Sequence, residues 1–559
     1  SPWMVAMDPS ASLERTEEAC NVLGVELLEV VHGEPGDFIQ VCRVRLPRLP
    51  INLPSQKTAL VLMQAREFDP ASTQADPRFI EDSLGRVLRE MGQSMGTPFL
   101  LMTDLDEEPL PTLVQARFPG VVFRGERLRE LLFAEVPRQK LAQAILMDAW
   151  LDAISPYKSS GPVDDPAMFM GRERVRRELI SSRSVSAIIC GGRRVGKTSL
   201  IRQLVRDLGR ERPDMKVYEI SLLGIRSYSD FVERLERRME INGPRPTQPP
   251  AQADDQDSEG TETKRRGSVL ERLRRRRAQN RVQRSLTPDV AAATVREALE
   301  GRFVESGHQP LLIMDEIDGI AARDAEAGYP LLSTLHQLKA EGICSFVLVG
   351  FAELYRQTYD YDSPLYNFAR VLQLRGLDDA AALRLVTEPM ARLGVLLEDP
   401  WIAQEIVTQT AGLPNLVQFI CDMLLRGLSE QRRTQITCGD LEAILDFENP
   451  VSQPLSAYLA ESFDQNVERR EELLVYTLLL HGPRPSSLSD IAANLEPLGI
   501  ETSLSERRAM VRRLKLVGVL EELPGERFDL ALPLLVRLLL SKDLKAAIAA
   551  LEDELRQEG

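Results

Sequence analysis

The feature that most constrains this chain is Gly191-Gly192-Arg193-Arg194-Val195-Gly196-Lys197-Thr198, a full match to G-x-x-x-x-G-K-[ST]. An apolar stretch at 186–190 reads as a strand before it, and a helical pattern at 199–208 follows. Strand, glycine-rich turn and helix in that order make a backbone cradle for a polyphosphate. The glycines let the chain fold tightly enough for its N–H groups to converge, and the helix N-terminus adds positive partial charge. Gly191 through Thr198 and the following Ser199 are therefore candidate phosphate contacts. Lys197 is expected to reach the β- and γ-phosphates of ATP, or the β-phosphate of ADP, and the Thr198 hydroxyl to ligate Mg²⁺.

A second pattern supplies acid groups. Residues 310–316, Pro-Leu-Leu-Ile-Met-Asp-Glu, form an apolar run ending in two carboxylates. Burial of a strand explains the run but not the acids at its C-terminal end, where open α/β sheets bind ligands. Asp315 is read as the holder of the Mg²⁺ shell, and Glu316 as the group that orients or deprotonates an attacking water. Asp318, two residues on, reads as a helix-starting residue.

The chain has 559 residues, enough for three to four domains. Its 43% hydrophobic and 27% charged residues fit ordinary globular folding. A net charge of -15 argues against a surface shaped as a whole for polyanions, so any nucleic-acid contact has to be local. Six cysteines lie scattered without C-x-x-C spacing, and no zinc-ligand spacing involves the four histidines. No apolar run approaches the ~20 residues that cross a bilayer, and the N-terminus lacks the basic-then-apolar order of a signal peptide. The expectation is a cytoplasmic protein with no membrane span.

Four regions are expected. Residues 1–154 read as an α/β domain, with strands at 59–63, 99–102 and 121–123 alternating with helical patterns at 78–91 and 126–133. An antiparallel pair at 25–31 and 38–44 precedes them, and a helix at 138–154 leads to a linker at 155–166. Residues 155–380 form the phosphate-binding core, interrupted at 243–287 by an acidic-then-basic stretch too polar to bury a core and read as a disordered insertion. Residues 381–450 form a helical lid. In 451–559, helices at 471–480, 488–495 and 505–517 precede a two-stranded wing turning at Pro524-Gly525, and a single amphipathic helix at 531–555 ends the chain.

With Phe169-Met170-Gly171-Arg172-Glu173, Asp315-Glu316-Ile317-Asp318 and Ala411-Gly412-Leu413-Pro414 in view, about half of the chain resembles bacterial STAND-type signalling ATPases, relatives of the origin-recognition-type AAA+ initiators. The resemblance implies an α/β P-loop NTPase core with a helical lid, an N-terminal α/β domain and a C-terminal winged helix. It also implies that Gly171 and Arg172 lie near the adenine and that Pro414 lies by the nucleotide at the start of a lid helix. Residues 363–377 and the helical 378–390 look like such ATPases too.

Two departures stand out. The strand at 344–349 ends in Gly350-Phe351, where hydrolytic AAA+ members carry Asn, Ser or Thr, and the lid helix has Pro414-Asn415 where many carry Arg. Fewer fixed dipoles at the γ-phosphate imply slow hydrolysis. Arg370, before a predicted strand, is a candidate arginine finger acting in trans, with a surface salt-bridge partner as the plainer reading. The expected function is a slowly hydrolysing ATP switch that couples nucleotide state to a protein partner through the N-terminal domain, or to homo-oligomer assembly. Arg507, Arg508, Arg512, Arg513 and Lys515 on the third C-terminal helix alternate with glutamates. The resemblance, in which this module packs on the ATPase and keeps it closed, implies intramolecular or protein contact for them, and a DNA-binding, initiator-like or transposition-type ATPase stays as the alternative. A nucleotide-binding scaffold without turnover is the third reading.

Overall fold

The computed structural model describes the strands of the first 154 residues with a few residues around them. It also describes 155–241 and 286–558, apart from 159–160, 164, 182–184, 226, 432 and 483. The helical patterns expected at 78–91 and 126–133 lie outside the described residues, as do the insertion at 243–285 and all of the 138–154 helix except Leu141. The chain divides into two compact units. One holds 1–160, 379–409 and 415–455; the other holds 161–378, 410–414 and 456–559.

In the first unit, β1 (Glu26–His32), β2 (Ile39–Arg45), β3 (Lys57–Met63), β4 (Phe99–Thr103) and β5 (Gly120–Phe123) form one sheet in sequence order. β1, β2 and β3 pair antiparallel, and β3, β4 and β5 pair parallel. The expected antiparallel pair and the expected parallel strands are all present. The stretch read as a linker begins in ordered contacts of the same unit: buried Tyr157 donates its hydroxyl to the Val386 carbonyl at 2.8 Å, and Ser155 donates to Asp422 at 2.9 Å.

The second unit is built on a parallel sheet. After α1 (Glu173–Ser181) come β6 (Ala187–Cys190), α2 (Lys197–Glu211), β7 (Val217–Ser221), α3 (Tyr228–Ile241), α4 (Pro288–Ser306) and β8 (Leu311–Asp315). Then follow α5 (Asp318–Glu326), α6 (Pro330–Ala340), β9 (Ser345–Gly350), α7 (Ala352–Gln357) and β10 (Arg370–Gln373). The strand order is β10-β6-β9-β8-β7, all parallel. The sequence explains that order. β6, β8 and β9 are apolar except for Asp315 at the end of β8 and Ser345 at the start of β9, and are buried at every residue, as strands covered on both faces are, whereas β7 alternates and β10 is partly exposed, as edges are.

Alternate residues of the central strands feed two cores. Ala187, Ile189, Ile313 and Val347 pack with Leu200, Ile201, Leu204 and Leu208 of α2, which recur at helical spacing. Ile188, Leu312, Met314, Phe346 and Leu348 pack with residues of α3, α4, α5 and α6.

The stretch read as a lid folds into α8 (Asp379–Arg392), β11 (Leu396–Leu397), α9 (Trp401–Gln409), α10 (Pro414–Gln431), β12 (Gln435–Ile436) and α11 (Cys438–Leu445). The C-terminal region contains α12 (Gln453–Asn466), α13 (Arg469–Leu480), α14 (Leu488–Leu495), α15 (Leu504–Leu516), β13 (Leu520–Leu523), β14 (Arg527–Leu530), α16 (Pro533–Leu540) and α17 (Leu544–Glu558). β13 and β14 are antiparallel and turn through Gly525 and Glu526, both at positive φ. The single helix expected at 531–555 is instead two helices, because Asp543 accepts from the N–H groups of Lys545 and Ala546 and so starts a new one.

Candidate functional site

The loop between β6 and α2 lies at the C-terminal ends of the parallel strands. Cys190, Gly350 and Gln373 are neighbours in register, as are Ile189 and Val349, and Val349 pairs with Asp315. The sheet therefore brings the ends of β6, β8 and β9 together around the loop.

Gly196 has φ 96°, the left-handed conformation that glycine adopts without strain, and it starts α2 with no side-chain cap. The first-turn N–H groups of Lys197, Thr198 and Ser199 are thereby left to an anionic ligand. Lys197 donates to the Gly191 and Gly192 carbonyls at 2.9 and 2.8 Å. Burial pushes its pKa down, and the carboxylates of Asp315, Asp318 and Glu316 push back. Thr198 donates its hydroxyl to the Asp315 carboxylate at 2.8 Å, joining loop and β8 side to side. Ser199 points the other way: its hydroxyl accepts from Val163 N–H at 3.0 Å.

Asp315 is buried, and burial raises its pKa against the lowering effects of Thr198, Lys197 and the Glu316 N–H. Glu316 has φ 59°, unusual for a residue with a side chain, which turns it out of the strand line. Its pKa is raised by desolvation first and by the neighbouring Asp315 carboxylate second. A hydroxyl and a carboxylate side by side are hard oxygen donors, which suit Mg²⁺, an ion that takes one or two protein oxygens and completes its shell with water and phosphate. Lys197 and the uncapped helix start suit the polyphosphate.

Other residues singled out from sequence gather around this centre. Gly171 and Arg172 both have positive φ. The Arg172 guanidinium donates to the carbonyls of Arg375 and Gly376, and burial lowers its pKa while Asp378 raises it. Gly376 packs so tightly that a Cβ there would lie 2.1 Å from the Ala411 carbonyl oxygen. Leu377 N–H donates to the Gly412 carbonyl at 2.8 Å. Pro414 Cγ is 3.8 Å from where a Gly196 Cβ would be, so the Gly412-Leu413-Pro414 turn adjoins the loop.

Arg370 is not brought to this centre. It pairs with Ala187 at the N-terminal end of β6 and forms an ion pair with Glu178, which fits the plainer of its two readings within its own chain. Asp318 opens α5 as expected, but its carboxylate also accepts from the N–H groups of Phe351 and Leu354 at 2.7 and 3.0 Å, capping α7.

Sequence reasoning does not name the residues that form the C-terminal side of the site. Asn466, at the end of α12, accepts from Arg193 N–H at 2.8 Å. The Leu516 carbonyl accepts from Gly192 N–H at 3.3 Å. The Arg513 guanidinium lies 5.6 Å from the Phe351 ring centre, with its Nε 3.2 Å from buried Glu471. A cleft of about 1000 Å³ runs between the strand ends and α15, lined among others by Arg193, Lys197, Glu316, Phe351, Arg512 and Arg513.

Residues 181–357 match the family model of the AAA domain. No curated protein matches the chain. Among solved structures, a Walker-type ATPase of Pyrococcus abyssi is similar at 16% identity and a TM-score of 0.44, over 68% of this chain and 98% of that one. The Aeropyrum pernix ORC2 protein, in its ADPNP-ADP complexes, is similar at 14% identity and 0.40, over 69% and 99%. The Thermotoga maritima RuvB Holliday junction branch migration motor is similar at 15% and 0.32, over 65% and 92%. The segment from just before β6 to the end of α7 is an AAA-type P-loop ATPase domain. Among the described residues, no helix is long and apolar enough to cross a membrane.

Proposed function

We propose that the chain is an ATP-binding, slowly hydrolysing switch of the STAND kind, in which nucleotide state alters how a C-terminal winged helix sits on the ATPase domain and thereby exposes or assembles a protein-binding surface. The observation that carries this reading is the placement of Lys197, Thr198, Asp315 and Glu316 at adjoining strand ends, with the C-terminal region bonded directly to the same loop. When bound, Mg²⁺ would draw charge from the terminal phosphates. Thr198 and Asp315 would hold it, Lys197 would lie along the polyphosphate, and Glu316 would take the proton of an attacking water.

Slow turnover follows from Gly350 and Phe351, which offer no side-chain dipole where the sheet delivers one strand end to the site. Winged-helix docking in place of DNA binding is supported by the basic side chains of α15. Arg512 lies over the Tyr359 ring at 4.9 Å, Arg513 pairs with Glu468 and Glu471, Lys515 with Glu522, and Arg507 donates to the Thr502 carbonyl. These contacts engage the face that would enter a groove of DNA. A role for Arg370 as a finger in trans requires assembly of several copies and belongs to the same proposal.

The experiment is size measurement of the purified chain with Mg-ADP and with a non-hydrolysable ATP analogue, alongside duplex-DNA binding. A change of hydrodynamic size or mass with the analogue supports the switch. No change in either, together with salt-dependent DNA binding lost in the Arg512→Ala, Arg513→Ala double variant, replaces it with the DNA-binding reading.

A further inference from the structure

The outer half of the phosphate loop is held by one face of α12. Tyr458, Glu461 and Asn466 of this helix all reach the loop. The Arg194 guanidinium lies 4.6 Å from the centre of the Tyr458 ring and 3.1 Å from the Glu461 carboxylate. Gln465 donates to that carboxylate at 2.7 Å. Asn466 is 6% exposed, and its Nδ2 donates to the Ser462 carbonyl at 2.7 Å, which fixes the amide so that Oδ1 faces Arg193 N–H. Flipping the amide would set a donor against a donor.

The approach is close. A Cβ on Gly192 would lie 3.2 Å from the Val517 α-carbon and 3.5 Å from Asn466 Oδ1, so the second glycine of the loop is the residue that admits the C-terminal region. Gly192 N–H is taken by the Leu516 carbonyl. Two consecutive N–H groups of a loop whose amides serve phosphates thus donate to protein oxygens from elsewhere in the chain.

We propose that Asn466 sets the preference of the site between nucleoside diphosphate and triphosphate. The inference rests on the reading of Gly191 to Thr198 as the nucleotide cradle. N–H groups at the start of α2 serve the phosphates common to both nucleotides. On this inference Arg193 N–H, three residues before Gly196 and further from the start of α2, serves what a triphosphate adds. Asn466 Oδ1 and a phosphate oxygen are both acceptors, and one N–H cannot satisfy both at full strength. A chain with α12 on its loop therefore favours the diphosphate. A triphosphate that takes the Arg193 N–H turns Asn466 away and loosens the face carrying Tyr458 and Glu461. Asn466 is a positioning residue in this account, acting through the loop backbone.

The test compares Mg-ADP and a non-hydrolysable ATP analogue by titration calorimetry on the full chain, as the unaltered protein, Asn466→Ala and Asn466→Asp. Asn466→Ala is expected to raise affinity for the analogue relative to ADP by about 3- to 10-fold, the effect of one competing hydrogen bond. Asn466→Asp keeps the acceptor but adds a negative charge, and is expected to lower that ratio by about 10-fold or more. Hydrogen exchange of 456–466 in the unaltered protein should rise with the analogue and not with ADP. An unchanged ratio in Asn466→Asp, or equal losses for both nucleotides in either variant, makes Asn466 a packing residue and overturns the proposal. Should Asn466→Ala fail to fold, the Asp variant and the exchange data decide. Failure of the unaltered chain to bind either nucleotide would overturn the cradle reading instead.

Discussion

The two ends of the phosphate loop have different neighbours. At the helix end, Gly196 leaves the first turn of α2 without a side-chain cap, and Thr198 is bonded to Asp315 of the adjoining strand end. At the outer end, Gly192 and Arg193 give their N–H groups to Leu516 and Asn466, and the Arg194 side chain goes to Tyr458 and Glu461. One end is shaped by what any polyphosphate site needs. The other is shaped by contacts with this chain's own C-terminal region.

The comparison can be broken at several points. The largest effect is expected at the helix end: Glu316→Gln should cut steady-state phosphate release by about 100-fold or more while leaving nucleotide affinity nearly intact. An unchanged rate removes Glu316 from the chemistry. Asp315→Asn should raise the Mg²⁺ concentration for half-maximal ATP binding by about 10-fold, because Thr198 alone then faces the ion. Mg²⁺ titrations of nucleotide affinity read this directly, and an unshifted curve would place the ion elsewhere. The Asn466 variants act next, on the ratio of two affinities.

The smallest effect concerns how firmly α13 and α15 hold together behind the outer end. Burial pushes the Glu471 carboxyl up from its ordinary 4.5 to about 7, against the Glu468 N–H and Arg513, which both lower it. The folded protein then binds this proton more tightly than the unfolded chain between those two pH values. Its contribution to stability is present in full below the unfolded value and declines as pH rises toward the folded one. Glu471→Gln should flatten the fall in thermal midpoint between about pH 5 and pH 7. An unflattened slope would show that other groups set it.

Legibility in the sequence follows physical locality. The loop and β8 are readable because phosphate geometry fixes spacing within one short segment, and a strand buried on both faces writes an unbroken apolar run. The hairpin of β13 and β14 is readable because its turn needs Gly525 in the left-handed region. Asn466 is not, since an asparagine at a helix end carries no pattern and its partner lies 273 residues away. Gly376 is equally silent, because its requirement is the Ala411 carbonyl across a tertiary contact. The basic face of α15 admits both an intramolecular contact and a groove-binding surface in one dimension, while in three its arginines meet Tyr359, Phe351 and buried Glu471. Leucine periodicity runs through 531–555, and only the local capping by Asp543 reveals the break between α16 and α17.

The most direct test of the account is Mg-ATP affinity of Lys197→Ala measured beside the unaltered chain under conditions where both are folded. Loss of binding by about 100-fold or more is the predicted result, since a half-buried ammonium held along the loop would no longer meet the phosphates. Equal affinity in the two proteins would contradict it.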